Sequence, residues 1–260
     1  LSIIYSDRID AVTDPSEKFK SDNGWCITLN KTQPELVKVI LEKIPENLLP
    51  LISTVIMSGV INGKAKQTIH ESIHSGKNKS RPSAARQAVS LIDMSVLYPK
   101  MTKTLDVFGV DTACASGIKA MQLAEIILEK SDGLVMIVGA ECASIKLMRH
   151  IFDSLGAMSH DEEWAVPFSE NLNGIMLGDG AGVIMLASED FAKKHDLDIE
   201  ATVDSIGFAT IPSHPTQPSD PELSLQLIMD TIARSGRQIS DFAHWDAHAT
   251  GTPLGDKTEM

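Results

Sequence analysis

Apolar positions recur along this chain with two different periods. Leu36, Val39 and Ile40 fall three and four apart, the spacing of one helical face. Thr32 and Glu35 supply a capping box around Pro34, so the pattern predicts a helix over 32–44, ended by Pro45. A short apolar run over 51–57, closed by Ser58-Gly59, predicts a buried strand; 61–74 reads as a weaker helix or loop and 75–82 as a polar connector. From Leu105 onward the two periods alternate. The pattern predicts a strand over 105–112 and a helix over 116–130 with Ile118, Met121, Ala124, Ile127 and Leu128 on one side. It then predicts an unbroken apolar strand over 134–138, of the kind buried inside parallel sheets. A strand over 183–187, a helix over 189–195 and a strand over 199–208 follow. Ser219, Pro221 and Glu222 open another helix to about Arg234, and a last strand over 242–247 runs into a Gly/Thr/Pro turn. The first thirty residues are mixed and give no clear reading. Strands alternating with helices define an α/β fold, and no linker-like stretch separates its parts.

Composition narrows the function. With 23 Lys and Arg against 35 Asp and Glu, the net charge of −12 argues against a nucleic-acid partner, because phosphate binding needs a basic surface. No apolar run reaches the roughly 20 residues that span a bilayer. Three cysteines, Cys26, Cys114 and Cys142, are too few for a disulfide scaffold and read as reduced thiols in a cytoplasmic setting.

Two segments carry candidate chemistry. Cys114 lies in Asp111-Thr-Ala-Cys-Ala-Ser-Gly117, between a predicted strand and a predicted helix. The positive end of a helix dipole favours thiolate over thiol, and small neighbours leave room for a substrate, so Cys114 is a candidate nucleophile. The plainer reading is a small buried hydrophobe. His248 lies in Asp246-Ala-His-Ala-Thr250-Gly-Thr252-Pro-Leu-Gly255-Asp256, where an imidazole and two hydroxyls can grip a polar substrate or merely stabilise a turn. His70-Glu71-Ser-Ile-His74 matches the H-E-x-x-H zinc pattern but runs at once into Ser75-Gly76 without a third ligand, so no metal is expected. Gly178 to Gly182 precedes a strand rather than a helix and has the wrong spacing for a dinucleotide loop; close backbone packing accounts for it. Cys26 and Cys142 read as core thiols.

Taken together, the Cys114 segment and the His248 segment resemble the β-ketoacyl-acyl-carrier-protein synthases, the ketosynthases of fatty-acid and polyketide assembly. Val138-Gly-Ala-Glu141, Pro167-Phe168, Gly178-Asp-Gly-Ala-Gly182 and His214-Pro-Thr216-Gln-Pro218 resemble further family segments in the family's order, so the likeness runs from about Leu51 onward. It implies a thiolase-like layered αβαβα architecture, with an N-terminal half over 1–197 carrying Cys114 and the beginning of a C-terminal half over 198–260 carrying the His248 motif. The family's second catalytic His and its Lys would fall beyond Met260, and its opening strand and Gly-rich turn are missing, so the chain is expected to be a fragment. The family's Pro-Phe-Asp…Arg-x-Gly pattern reads Pro167-Phe168-Ser169…Asn173-Gly174 here, without the acid and the arginine.

The activity this resemblance implies is decarboxylative condensation of an acyl thioester with a malonyl carrier protein through an acyl-Cys114 intermediate. His248 would hydrogen-bond the thioester oxygen, and Thr216, Thr250 and Thr252 would hold the phosphopantetheine arm. No metal or redox cofactor is required. Lys146 and Arg149 are candidates for docking an acidic acyl carrier protein. The strand over 105–112 is expected at a dimer interface, between identical or related subunits. A thiolase-like coenzyme A acyltransferase and a non-catalytic chain-length subunit are the alternatives; the His-Ala-Thr-Gly-Thr-Pro segment argues against the first and Cys114 against the second.

Overall fold

The structure, a computed structural model, describes residues 1–10, 17–21, 24–31, 33–59, 104–143, 145–160, 166–210 and 220–260. Zinc-pattern residues His70 and His74, the cap residues Thr32 and Ser219, and the His214–Pro218 loop with Thr216 lie outside them.

Among the described residues, eight strands form one mixed sheet: β1 (Ser2–Asp10), β2 (Glu17–Ser21), β3 (Gly24–Thr28), β4 (Ile52–Ser58), β5 (Asp106–Val110), β6 (Leu134–Cys142), β7 (Leu177–Ala187) and β8 (Ala201–Thr202). Their order is β2-β3-β7-β6-β4-β5, with β1 pairing β7 and β8. The uninterrupted apolar run predicted a strand buried on both faces, and β6 is one: residues 134 to 138 are all buried. It runs parallel to β4, with Met57 opposite Val138, and antiparallel to β7, with Val138 opposite Val183. The glycines from 178 to 182 lie inside β7 rather than in a phosphate loop; Gly182 sits between Gly139 of β6 and Arg8 of β1. Among the described residues β5 pairs only β4 and lies at an edge, with Val107 and Phe108 exposed.

Helices α1 (Gln33–Glu42) and α2 (Ser116–Leu128) pack on this sheet, α1 against β6 and β1 and α2 across β4 and β6. Ala120 and Ala124, one turn apart and fully buried, let α2 come close to Ile56, Val135 and Ile137. Ile118, expected on that apolar face, is instead 50% exposed. Four further helices are α3 (Lys146–Ser154), α4 (Glu189–Lys194), α5 (Pro221–Ser235) and α6 (Pro253–Glu259). Among the described residues no helix is long and apolar enough to cross a membrane.

Elsewhere the expected elements change. The strand expected over 199–208 shrinks to Ala201–Thr202, which pairs the start of β1. No strand forms over 242–247, where Phe242 and Trp245 are exposed; among the described residues nothing pairs with this segment, and a strand exists only through its neighbours. Asp220 caps α5, accepting from the N–H groups of Glu222 and Leu223.

The chain divides into two compact units. The first holds residues 1–18, 27–148 and 178–203; the second holds 19–26, 149–177 and 204–260. Both units are discontinuous in sequence, and the second draws on two segments that precede residue 178.

Candidate active-site segments

Cys114 belongs to the first unit. β5 ends at Val110 and α2 begins at Ser116, so the chain reverses within five residues, and the turn needs a left-handed residue. Ala113 supplies it, with φ 52°, a conformation that a residue with a Cβ adopts at a cost of about 1–2 kcal/mol. Ser116 holds the turn shut. It is buried, and its Oγ donates to the Ala113 carbonyl at 2.6 Å while accepting from the Thr112 N–H at 2.9 Å. Asp111 Oδ1 accepts from the Ala113 N–H at 3.3 Å. The result lifts the Cys114 thiol, two residues ahead of α2, to the exposed surface. Cys26 and Cys142 are buried, in keeping with core thiols, and Cys142 Sγ donates to the Lys31 carbonyl at 3.4 Å. The buried-hydrophobe reading of Cys114 is set aside by its exposure.

His248, Thr250 and Thr252 belong to the second unit. Thr252 is the N-cap of α6, accepting from the Gly255 N–H, and Pro253 follows at the first helical position. The loop ahead of it turns twice through left-handed backbone, at Ala249 (φ 49°) and Gly251 (φ 72°). Such a loop points its N–H groups inward, and α6 answers them. Glu259 accepts from His248 N–H through Oε1 and from Ala249 N–H through Oε2, both at 2.8 Å. Asp256, fully buried, accepts from Gly251 N–H at 2.9 Å and from Phe168 N–H at 2.7 Å. The Gly251 carbonyl in turn accepts from Gly174 N–H at 3.1 Å. Thr250 Oγ1 and Thr252 Oγ1 lie 2.9 Å apart. Two hydroxyls that share one hydrogen bond keep one O–H proton to offer an amide carbonyl.

His248 itself is exposed. Of the candidate docking residues, Lys146 opens α3 and is exposed, whereas Arg149 one turn on is half-buried. Asp256 and Glu259 are site residues that the sequence reading left unassigned. Their signal was present: Thr252-Pro253 is a helix start, and Asp256 and Glu259 three residues apart then share one face of that helix. Among the described residues no group of three or more His, Cys, Asp or Glu is arranged to hold a metal.

Comparison with known proteins agrees with this architecture. Residues 106–192 match the family described as Beta-ketoacyl synthase, N-terminal domain. The 3-oxoacyl-[acyl-carrier-protein] synthase 2 of Vibrio cholerae is 32% identical over 161 residues, 58% of this chain and 38% of that protein. Nodulation protein E of Rhizobium meliloti is 29% identical over 184 residues, 70% of this chain and 43% of that protein. Among solved structures, a type II PKS acyl-carrier protein in complex with its ketosynthase bound to the hexaketide aligns over 99% of this chain and 75% of that one, with TM-score 0.77 and 15% identity. A beta-ketoacyl synthase from Burkholderia phymatum aligns over 93% of this chain and 66% of that one, with TM-score 0.73 and 19% identity. The fold is that of the ketosynthases. Residues 106–192 are similar to the N-terminal domain of the β-ketoacyl synthases, and the chain shares the fold of the solved ketosynthases. It spans less than half the length of these curated relatives.

Proposed function

We propose that this chain supplies the nucleophilic half of a ketosynthase, accepting an acyl group on Cys114 and handing it to carbon. One observation carries the reading: within the matched segment, a buried serine and a left-handed alanine hold an exposed thiol just ahead of a thirteen-residue helix. That is where a helix dipole favours an anion.

Cys114 Sγ, as thiolate, attacks the thioester carbonyl; the C–S bond to the carrier breaks and the carrier thiol leaves with a proton. A malonyl thioester then loses CO₂. The electron pair of the broken C–C bond becomes an enolate, which attacks the acyl carbonyl and releases Cys114. His248 donates a hydrogen bond to the oxygen that gains charge in the enolate, and Thr250, Thr252 and Thr216 hold the phosphopantetheine amides. No metal or redox group takes part. The acyl donor arrives on an acyl carrier protein that docks near Lys146 and Arg149. A second copy or a related subunit pairs along β5, whose outer edge has no strand partner among the described residues. A chain with reduced thiols of this kind works in the cytoplasm.

The pH dependence of alkylation tests the nucleophile. Iodoacetamide is expected to label Cys114 ahead of Cys26 and Cys142, with a midpoint below the roughly 8.5 of a free thiol. Equal labelling of the three cysteines, or a Cys114 midpoint at or above that value, contradicts the reading.

A further inference from the structure

Lys31 lies between β3 and α1, in a loop fastened to two strands of the sheet. Thr28 Oγ1 donates to Oδ2 of the buried Asp179 at 2.7 Å, and the Leu29 N–H donates to the same oxygen at 3.1 Å. Asn30 turns through left-handed backbone at φ 53°, and its N–H donates to Thr28 Oγ1 at 3.0 Å. The Lys31 carbonyl accepts from Cys142 Sγ at 3.4 Å, and the buried Gln33 side chain donates to the Ala140 carbonyl at 2.8 Å. Cys142 and Asp179 stand opposite each other across β6 and β7, so these bonds gather at one end of that strand pair. The backbone of Lys31 is thereby fixed, while the residue itself stays exposed.

That end of the sheet also carries Cys114. β4 runs parallel to both β5 and β6, with Ser58 opposite Val110 on one side and Gly139 on the other. Cys114 follows four residues after Val110, and Cys142 three after Gly139. Two strand spacings of about 4.8 Å separate β5 from β6. Lys146, exposed at the start of α3, comes four residues after Cys142, so the chain keeps it within about 14 Å of that residue. We propose that Lys31 joins Lys146 in a docking surface for the acidic face of a carrier protein, beside the sheet end that holds the nucleophile, a role that rests on the proposed delivery of an acyl group to Cys114.

Charge supports this occupant. The chain carries −12 overall, and Lys38, Lys43, Lys193 and Lys194 are each paired with one of its own acids. Among the described residues neither Lys31 nor Lys146 has an ion-pair partner. On an acidic molecule, two unpaired ammonium groups near the nucleophile give an acidic partner local attraction against the long-range repulsion. A pinned backbone also loses little freedom when the partner arrives. Two lysines suit an acidic protein face better than a nucleic acid, whose regular phosphates call for a longer basic stripe.

Lys31→Glu reverses the charge without removing the bonds to the backbone of its loop. Lys193→Glu makes the same change of charge on α4 and serves as the control. The probe is a purified acidic acyl carrier protein, titrated against the 260-residue chain and its variants, with acyl transfer to Cys114 followed from the acylated carrier and from a small acyl thioester. Lys31→Glu is expected to raise the Kd for the carrier about tenfold, and Lys193→Glu by no more than about twofold. Raising the salt from about 50 to about 200 mM should close most of the gap between parent and Lys31→Glu. Transfer to Cys114 is expected to slow about tenfold from the carrier and no more than about twofold from the small thioester.

A Lys31→Glu chain that binds the carrier as the parent does overturns the proposal, and so does a parent that does not bind it. An equal loss in Lys193→Glu would make the effect one of net charge. An equal loss with the small thioester, or a lowered melting temperature in Lys31→Glu, would make Lys31 a structural residue. If no thioester acylates Cys114, the function given to the thiol falls, while the carrier titration still decides the surface.

Discussion

Ala113 carries the sharpest backbone constraint beside the sulfur. At φ 52° its Cβ is tolerated, but a branched Cβ would meet the neighbouring carbonyl. Ala113→Val is expected to cost roughly 2 kcal/mol in urea unfolding. If Val is accommodated without loss, the strained turn is not what presents Cys114. A second residue ties stability to pH. Burial, helped by the charge and the hydrogen-bonding contact of Asp7, raises the Tyr5 hydroxyl from an ordinary 10.0 to about 12. The hydroxyl donates to the Lys43 carbonyl at 2.9 Å and lies 3.3 Å from Asp7 Oδ2. Because the folded chain holds this proton more tightly than the unfolded one, the stabilisation is complete below pH 10 and is lost as pH rises from 10 to about 12. Urea midpoints across that window should fall more steeply for the parent than for Tyr5→Phe; parallel curves would remove Tyr5 from the alkaline transition.

Among the elements, Gly174 shows how a loop is held in register. Its N–H donates to Gly251, its φ is 103°, and a Cβ there would sit 2.7 Å from the Ala157 carbonyl and 2.9 Å from the Ser159 nitrogen. Backbone cannot give way cheaply, so Gly174→Ala is expected to destabilise by about 2 kcal/mol or more. It should also speed exchange at the Gly251 amide; a variant with the parent's melting temperature would show that the segment has slack. Such locks explain what was legible in the sequence. β4, β6, α1 and α2 were readable because each carries its own apolar pattern, and β6 needs no knowledge of its neighbours to be recognised as buried. β1 to β3 were not, because their residues alternate weakly and become strands by pairing with neighbours distant in the sequence or with each other. The 242–247 segment failed in the opposite sense: its pattern suits a strand, but no described strand lies beside it. Cys114 and His248 stood out by residue type and spacing. Glu259 and Asp256 did not, since their work is done on backbone N–H groups and their mark in the sequence is slight: a helix start at Thr252-Pro253 with two acids three residues apart behind it.

For the whole molecule, the chain's charge of −12 sets a condition on any acidic carrier protein. Long-range repulsion must be offset locally, which gives the exposed Lys146 at the start of α3 its interest. The two units each carry one part of the proposed chemistry, the thiol in the first and the imidazole with its threonines in the second. Everything in that division follows from whether the sulfur takes an acyl group. Incubating the chain with an acyl thioester and mapping the product by intact-mass and peptide mass spectrometry asks this directly. The account predicts one acyl group per chain, on Cys114, absent from Cys114→Ala and removed by hydroxylamine. An unmodified chain, or acyl groups on Cys26 or Cys142, would contradict it.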